Sequence, residues 1–510
     1  MKNISCNINV WVAVVLLVVA SACSRKTPAV ASPPSSEVDS VAPSPPAPDR
    51  TTSPPPSNVN DISSSPTAPG QTASPPPLDV NDVSFLWPVP QTKADVDALI
   101  SLNDQAVDGK IFPDELFGKL IDEAKTVSVG KPKISFQNEA EFKKPITWKV
   151  AGIRVNPSAL GASVNVTHAL GVIPGIRLIV QPVTVEGDDF KIHDFAAHVV
   201  FNYTVPRTDG KRFPILPDDQ AFTAVIEDLR RIKTFSEQAG APTADQKLNI
   251  HPGFIKKVPG FTDKLRALLK THLHRERLAV VSFMGIPGQF EPWIFFKVTV
   301  EKDGTLTRES VSGNYASPQP KSQMLTFQSG APRNIEPEPS LSDTAAQSGF
   351  GISTSLLFSK DISSHLKDRL FPNTTERSVA QLKLCDVADR IANPQFHNTA
   401  TTDCVSCHTE TTRRNSITDL VSQPGVAFTQ PAGISKVAAA VLPKDRWNLR
   451  NFGWGLAFFE KKTFKPTITQ RAANEAAESA DFINKASAAP SPIEQPVARR
   501  DSAVDLNLPP

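Results

Sequence analysis

A proline-rich segment near the N-terminus limits what this chain can fold into. Residues Ser24 to about Leu78 are dominated by Pro, Ser, Ala and Thr, and they contain fifteen of the 47 prolines in the chain. Such a composition cannot bury an apolar core, so we predict a disordered, stiffened tether over residues 23–80. A similar Ala- and Pro-rich stretch predicts a disordered tail over residues 487–510. About 400 residues remain for folded domains.

The residues before the tether have the pattern of a bacterial export signal. Lys2 precedes the apolar run from Val10 to Ala20, which is too short to span a bilayer as a helix. The four residues that end at Cys23, Ala-Ser-Ala-Cys, resemble the lipobox of bacterial lipoproteins. This resemblance implies a signal peptide over residues 1–22 and lipidation of Cys23; a plain signal peptide with a chance cysteine is the alternative. Ser24 after the anchor implies an outer-membrane lipoprotein that faces the periplasm or the cell surface.

Residues 404–408, Cys-Val-Ser-Cys-His, carry the clearest chemical signal. Two thiols at this spacing can form thioether bonds to the two vinyl groups of a haem, and the adjacent imidazole can bind the iron. The run resembles the attachment motif of c-type cytochromes. The resemblance implies one covalent haem c on Cys404 and Cys407, with His408 as an axial iron ligand. The export signal agrees with this, because bacteria attach haem outside the cytoplasm.

Two other interpretations of the motif stay open. Cys404, Cys407 and His408 could bind zinc if Cys385 or His397 completed the four ligands. Without haem, the two thiols could also form a thioredoxin-like redox pair. The chain has no second C-x-x-C, and no βαβ pattern surrounds this one. We interpret Cys385 as a buried core thiol, because it lies on the apolar stripe of a predicted helix.

The second axial position of the iron has no obvious ligand. No methionine follows Met324, so a methionine downstream of the attachment motif is excluded. His397, seven residues before Cys404, is the candidate, because a loop of that length could reach the opposite haem face. Water, an open site, and the weaker candidates His365, Met284 and Met324 are the alternatives.

The fold class predicted from the sequence is α+β. Residues 81–330 should form a domain with an antiparallel sheet and helices on one side. We predict helices over Thr92–Asn103, Pro113–Ala124 and around Phe222–Ile232, and strands over Arg177–Val185, Ile192–Tyr203, Leu278–Met284 and Trp293–Val300. Residues 186–189, Glu-Gly-Asp-Asp, predict a turn between the first two strands, and alternate residues from Phe195 to Tyr203 should lie on one face of the second. The segment contains no P-loop, nucleophile elbow or dinucleotide fingerprint. His193 and His198 differ by five on a predicted strand, so they point to opposite faces and are interpreted as ordinary residues.

A Pro-, Ser- and Glu-rich break predicts a linker over residues 331–348. Residues 349–486 should form a mainly helical, cytochrome c-like haem domain, with helices over Ser378–Ala392 and Thr467–Lys485. In the second helix, Thr467 and Gln470 match a capping box. The aromatic residues between Trp447 and Phe459 suit a haem pocket or an ordinary core equally well, and Arg413, Arg414 and Arg450 are candidate partners of haem propionates.

The sequence predicts a redox function. A formal net charge of +2, with both signs interspersed, gives no basic stripe for nucleic acid. We predict an exported, membrane-anchored monohaem c-type cytochrome that carries single electrons to or from an unidentified redox partner protein. A single attachment motif disfavours a di-haem peroxidase, and an electron carrier is favoured over an enzyme. The alternatives are a haem-based sensor or binder of small ligands with an open sixth site, and an envelope interaction lipoprotein in which the C-x-x-C-H region is structural.

Overall fold

The computed structural model describes residues 76–128, 132–157, 173–206, 215–288, 293–309, 311, 321–325, 388–389, 391–394, 404–420, 437–444, 447–457 and 463–488. These residues belong to one compact unit, Thr72–Pro510. The predicted signal peptide and linker lie outside the described residues, as do Cys23, His365, Cys385, His397 and most of the predicted tether and tail. At the inner ends of the tether and the tail, Leu78 is buried, Val80 begins a helix that runs to Val83, and Ser487 and Ala488 end a helix that begins at Gln470. Of the predicted helix over Ser378–Ala392, only four residues are described, and all four are helical.

A nine-stranded antiparallel sheet forms the centre of the described structure. Its strands are rich in Val, Ile and Phe, whose branched or aromatic side chains pack well on a pleated surface. The strands of the structure are β1 Ser84–Leu86, β2 Gln105–Ala106, β3 Gly109–Lys110, β4 Trp148–Asn156, β5 Gly175–Glu186, β6 Asp189–Ile192, β7 Ala196–Asn202, β8 Thr204–Pro206, β9 Ile215–Pro217, β10 Leu278–Gly285, β11 Trp293–Val300, β12 Leu306–Glu309, β13 Ser322–Leu325, β14 Phe452–Ala457 and β15 Thr463–Ile468. In the central sheet, seven strands follow the order β1-β4-β5-β7-β10-β11-β12, while β6 pairs with β5 and β13 pairs with β11.

Two of the longer helices begin after residues that favour a helix N-terminus. Pro113 precedes one helix, and the Asp218 carboxylate accepts a hydrogen bond from the Ala221 N–H at the start of another. The helices are α1 Val80–Val83, α2 Lys93–Ala98, α3 Asp114–Thr126, α4 Glu139–Phe142, α5 Asp219–Gln238, α6 Pro252–Ile255, α7 Phe261–His272, α8 Cys404–Leu420 and α9 Gln470–Ala488, with 3-10 turns at Pro145–Thr147 and Arg275–Arg277. No helix among the described residues is long and apolar enough to cross a bilayer.

The predicted α+β class and the antiparallel sheet are confirmed. Glu186 pairs with Asp189 across the predicted turn, and the alternating side chains from Phe195 to Tyr203 are buried as expected. The predicted helix over Thr92–Asn103 is shorter, because the chain is already extended at Leu99. Strand β4 was not predicted. All nine of its residues are buried, so it lacks the alternation that marks a strand with one solvent-facing side.

Different groups pack on the two faces of the sheet. One face carries an aromatic cluster in which the Phe283 ring centroid lies 5.2 Å from that of Phe296 and 5.5 Å from that of Trp148. On the other face, Gly152, Ile179 and His198 lie opposite one another on successive strands. A Cβ atom at Gly152 would lie 2.5 Å from the ring of Phe452, so the β14–β15 hairpin packs directly on the backbone of this second face.

Polar side chains fix the C-terminal segments to that second face. Gln181 donates to the Trp454 carbonyl at 2.9 Å and accepts from the Trp454 N–H at 2.7 Å. Arg154 of β4 pairs with Glu475 of α9 at 2.9 Å. The sheet and the segments after residue 404 therefore share one core among the described residues. The predicted division into domains at 81–330 and 349–486 stays a prediction.

The C-terminal segments combine helices with a β-hairpin. The helix predicted from Thr467 begins at Gln470, because Thr467 belongs to strand β15 and the Thr469 hydroxyl instead accepts a hydrogen bond from the Ala472 N–H. Four alanines on one side of α9 are buried. They are Ala472, Ala473, Ala476 and Ala480.

His251 makes the stability of this fold sensitive to acid. Its ring stacks on Phe261 with centroids 4.6 Å apart, and Nδ1 accepts a hydrogen bond from the Gly253 N–H at 3.0 Å. Burial lowers the pKa of His251 to about 3. The unfolded chain binds this proton near pH 6.5, so the stabilisation is complete above that pH and is lost as the pH falls towards 3.

We expect this one histidine to remove about 2 kcal/mol from the free energy of unfolding between pH 7 and pH 5. Urea unfolding at both pH values measures the loss in the natural protein and in His251→Asn. The variant keeps an acceptor at the start of α6 but does not titrate, so its loss should be smaller by that amount. If both proteins lose the same free energy of unfolding between pH 7 and pH 5, His251 is not the source of the acid sensitivity.

Candidate haem site

The attachment motif lies in the first turns of helix α8, against the edge of the sheet. Residues three and four apart share one side of a helix, so Cys404, Cys407 and His408 face the same way. The first N–H groups of a helix need partners outside it. Here the Gln323 side chain of β13 accepts hydrogen bonds from the N–H groups of Cys404, at 3.0 Å, and Val405, at 3.4 Å. The sheet therefore fixes the position of the motif.

His408 is held in the form that binds a metal. Its Nδ1 lies 2.6 Å from the Leu449 carbonyl oxygen. A carbonyl only accepts, so Nδ1 carries the proton and Nε2 keeps its lone pair. Metal-binding histidines commonly donate their second N–H to a carbonyl in this way. Burial lowers the pKa of His408 to about 4, so the imidazole is neutral at pH 7.

Burial disfavours the thiolate form of Cys407. Cys404 and Cys407 are not joined in a disulfide. Burial raises the pKa of the Cys407 thiol to about 11. A thioredoxin-like pair depends on a thiol whose pKa is lowered. The environment of Cys407 therefore disfavours the redox-pair interpretation, whereas a protonated thiol is compatible with addition to a vinyl group.

Strand β7 places a second histidine, His198, next to His408. The ring centroids of His198 and His408 lie 6.0 Å apart, with an angle of 29° between the ring planes. The Phe295 ring centroid lies 5.1 Å from that of His408. Protein surrounds both histidines, and burial holds the pKa of His198 well below its usual value. Both residues nevertheless keep some accessible surface.

Two of the arginines predicted to bind haem propionates have carboxylate partners within the protein. Arg450, a candidate propionate partner, instead donates to the Asp194 carboxylate and to the Phe195 carbonyl, each at 2.9 Å. Arg414 pairs with Asp389. Arg177, which the sequence did not single out, lies on β5 within electrostatic range of Cys407. Arg177 is therefore an arginine of the sheet that lies near the motif.

The aromatic residues of the C-terminal hairpin belong to the core. The Trp454 indole donates to the Trp87 carbonyl at 3.1 Å, and the Trp447 ring centroid lies 5.4 Å from that of Trp293. Within the described part of the chain, no three Cys, His, Asp or Glu side chains converge on one point in the way that a single bound ion requires. Cys385 and His397, the predicted fourth zinc ligands, lie outside the described residues.

The chemistry of these residues fits a covalent haem. Two thiols on one helix face and an adjacent imidazole, oriented and neutral, are the protein groups that the attachment of a c-type haem requires. Comparison of the chain with protein-family models, with curated proteins and with solved structures gave no match. The assignment of function therefore depends on the motif and its surroundings.

Proposed function

We propose that this protein is an exported, membrane-anchored monohaem c-type cytochrome that carries single electrons in the cell envelope. One observation carries the proposal: His408, next to the two motif thiols, is oriented by the Leu449 carbonyl with its Nε2 lone pair available. When bound, the haem iron supplies reversible one-electron redox chemistry. In this account, residues 349–486 supply the haem attachment, as the cytochrome-like motif implies.

Residues of this chain would hold the haem. The Cys404 and Cys407 thiols would bind it covalently, because each S–H would add across one vinyl group, its sulfur to one carbon and its hydrogen to the other, with no net oxidation. His408 would bind the iron, and the Leu449 carbonyl fixes the imidazole tautomer. The Phe295 ring packs beside that imidazole, and an apolar neighbour of this kind would tune the potential of the iron.

The N-terminus places this redox centre at a membrane. A lipid on Cys23 would hold the protein at the outer membrane, and the tether over residues 23–80 would let the folded part reach a redox partner protein. Cys23→Ala should move the protein from the membrane fraction to the soluble fraction of the envelope, because no fatty chains then retain it. Immunoblots of the two fractions give the distribution, and a variant that stays with the membrane would disprove anchoring by Cys23.

The absorption spectrum of the protein, purified from a host with haem-attachment machinery, tests the proposal. Reduction with dithionite should give the sharp bands of a c-type haem, and carbon monoxide should leave them unchanged if the iron carries two protein ligands. A spectrum that shifts with carbon monoxide would favour the small-ligand sensor. Protein without haem bands would overturn the proposal and favour the envelope interaction protein; bound zinc in that sample would assign the motif to a zinc site.

A further inference from the structure

We propose that His198 is the second axial ligand of the haem iron, so that the haem lies between helix α8 and the central sheet. This inference rests on the proposed function. It assigns the sixth position to a residue on a strand that is far from the attachment motif in sequence. The iron would then link the two parts of the chain that the sequence separates.

The spacing of the two rings supports this assignment. Two imidazoles bound through nitrogen to opposite sides of one metal, with bonds of about 2 Å, place their ring centroids roughly 6 Å apart. The centroids of His198 and His408 are 6.0 Å apart. The observed spacing of the two rings therefore matches the spacing that an axial pair of imidazoles needs.

The His198 side chain shows no hydrogen bond or ion pair among the described residues, unlike those of three other histidines. His193 lies 2.8 Å from the Thr184 hydroxyl, His272 lies 2.7 Å from the Asp228 carboxylate, and His251 accepts from Gly253. The ring contact that His198 makes there is with His408. A bound metal would give this imidazole a partner.

The position of His198 in the sheet gives it the rigidity that a ligand needs. Strand β7 is central, paired with β5 on one side and with β10 on the other, and His198 lies between Ile179 and Ser282. A site on a paired strand is held more precisely than one on a loop. Met284, another candidate for the sixth position, is already engaged, because its sulfur lies 3.3 Å from the Arg450 guanidinium.

Absorption and EPR spectra of four proteins test the assignment: the natural protein and the variants His198→Ala, His397→Ala and His193→Ala. The natural protein should be low-spin and indifferent to carbon monoxide. His198→Ala should keep its covalent haem but become high-spin and bind carbon monoxide, and added imidazole should restore the low-spin spectrum. His193→Ala, which changes a histidine that already has a hydrogen bond, and His397→Ala should both stay low-spin.

A low-spin His198→Ala protein, or a high-spin natural protein, would overturn the assignment; a high-spin His397→Ala protein with His198→Ala unchanged would give the position to His397. If His198→Ala does not accumulate, His198→Met replaces it. A thioether raises the potential relative to imidazole, so this variant should stay six-coordinate with a higher midpoint potential, and an unchanged potential would overturn the assignment. Absence of haem from the natural protein would count against the proposed function itself.

Discussion

A chain in which serine replaces both Cys404 and Cys407 will lose all of its covalent haem. In our account, these two thiols form the thioether bonds, and serine hydroxyls do not add to haem vinyl groups under the same conditions. His408 and His198 would remain, but axial ligands alone hold haem only reversibly. A haem stain of the protein after denaturing electrophoresis measures the bound haem directly and should give no signal for the double variant.

The matched control is Cys385→Ser. We predict that Cys385 is a core thiol with no part in attachment, so this variant should stain as strongly as the natural protein. Covalent haem on the Cys404→Ser/Cys407→Ser chain, or its loss from Cys385→Ser, would show that the attachment site has been assigned to the wrong thiols.

Glu475→Ala should lower the free energy of unfolding by about 3–5 kcal/mol, because it leaves two buried arginines without their shared partner. Glu475 lies 2.9 Å from the Arg154 guanidinium of strand β4 and 3.0 Å from that of Arg471 on its own helix. All three side chains are buried. Burial acts to raise the pKa of Glu475, but Arg154 and Arg471 outweigh it and lower the pKa, so the carboxylate is ionised.

Asp481→Ala is the control for this variant. Asp481 lies on the same helix α9, but its ion pair with Lys485 is exposed, so its loss should change the free energy by less than about 0.5 kcal/mol. Denaturant unfolding, followed by tryptophan fluorescence and by haem absorbance, gives both values. The two signals should change together. If Glu475→Ala costs no more than Asp481→Ala, or if the two signals separate, the helix and the sheet are not one cooperative unit.

The sequence predicted the parts of the fold whose pattern is local. The alternation from Phe195 to Tyr203 identified strand β7, and the turn at residues 186–189 identified a hairpin. The fully buried strand β4 has no such alternation, and it was missed for that reason. A charged residue within it, Arg154, is buried only because Glu475 reaches it from a distant helix. A pattern over a few residues does not contain that information.

In the candidate site, too, local features could be predicted from the sequence, and features that depend on distant residues could not. The spacing of Cys404, Cys407 and His408 is local, and the sequence alone was enough to single these residues out. The supporting groups, the Gln323 side chain and the Leu449 carbonyl, come from other elements. His198 was interpreted as an ordinary residue, because the nearest histidine in sequence points to the other face of the strand. Its closeness to His408 arises only from the folding of the C-terminal segments over the second face of the sheet.

The intact mass of the protein, matured in its own host, tests the central claim most directly. The account predicts one species in which the chain carries the mass of a single haem, and peptide mapping should place that addition on the segment that contains Cys404 and Cys407. A mature chain with both of these cysteines unmodified would contradict the account.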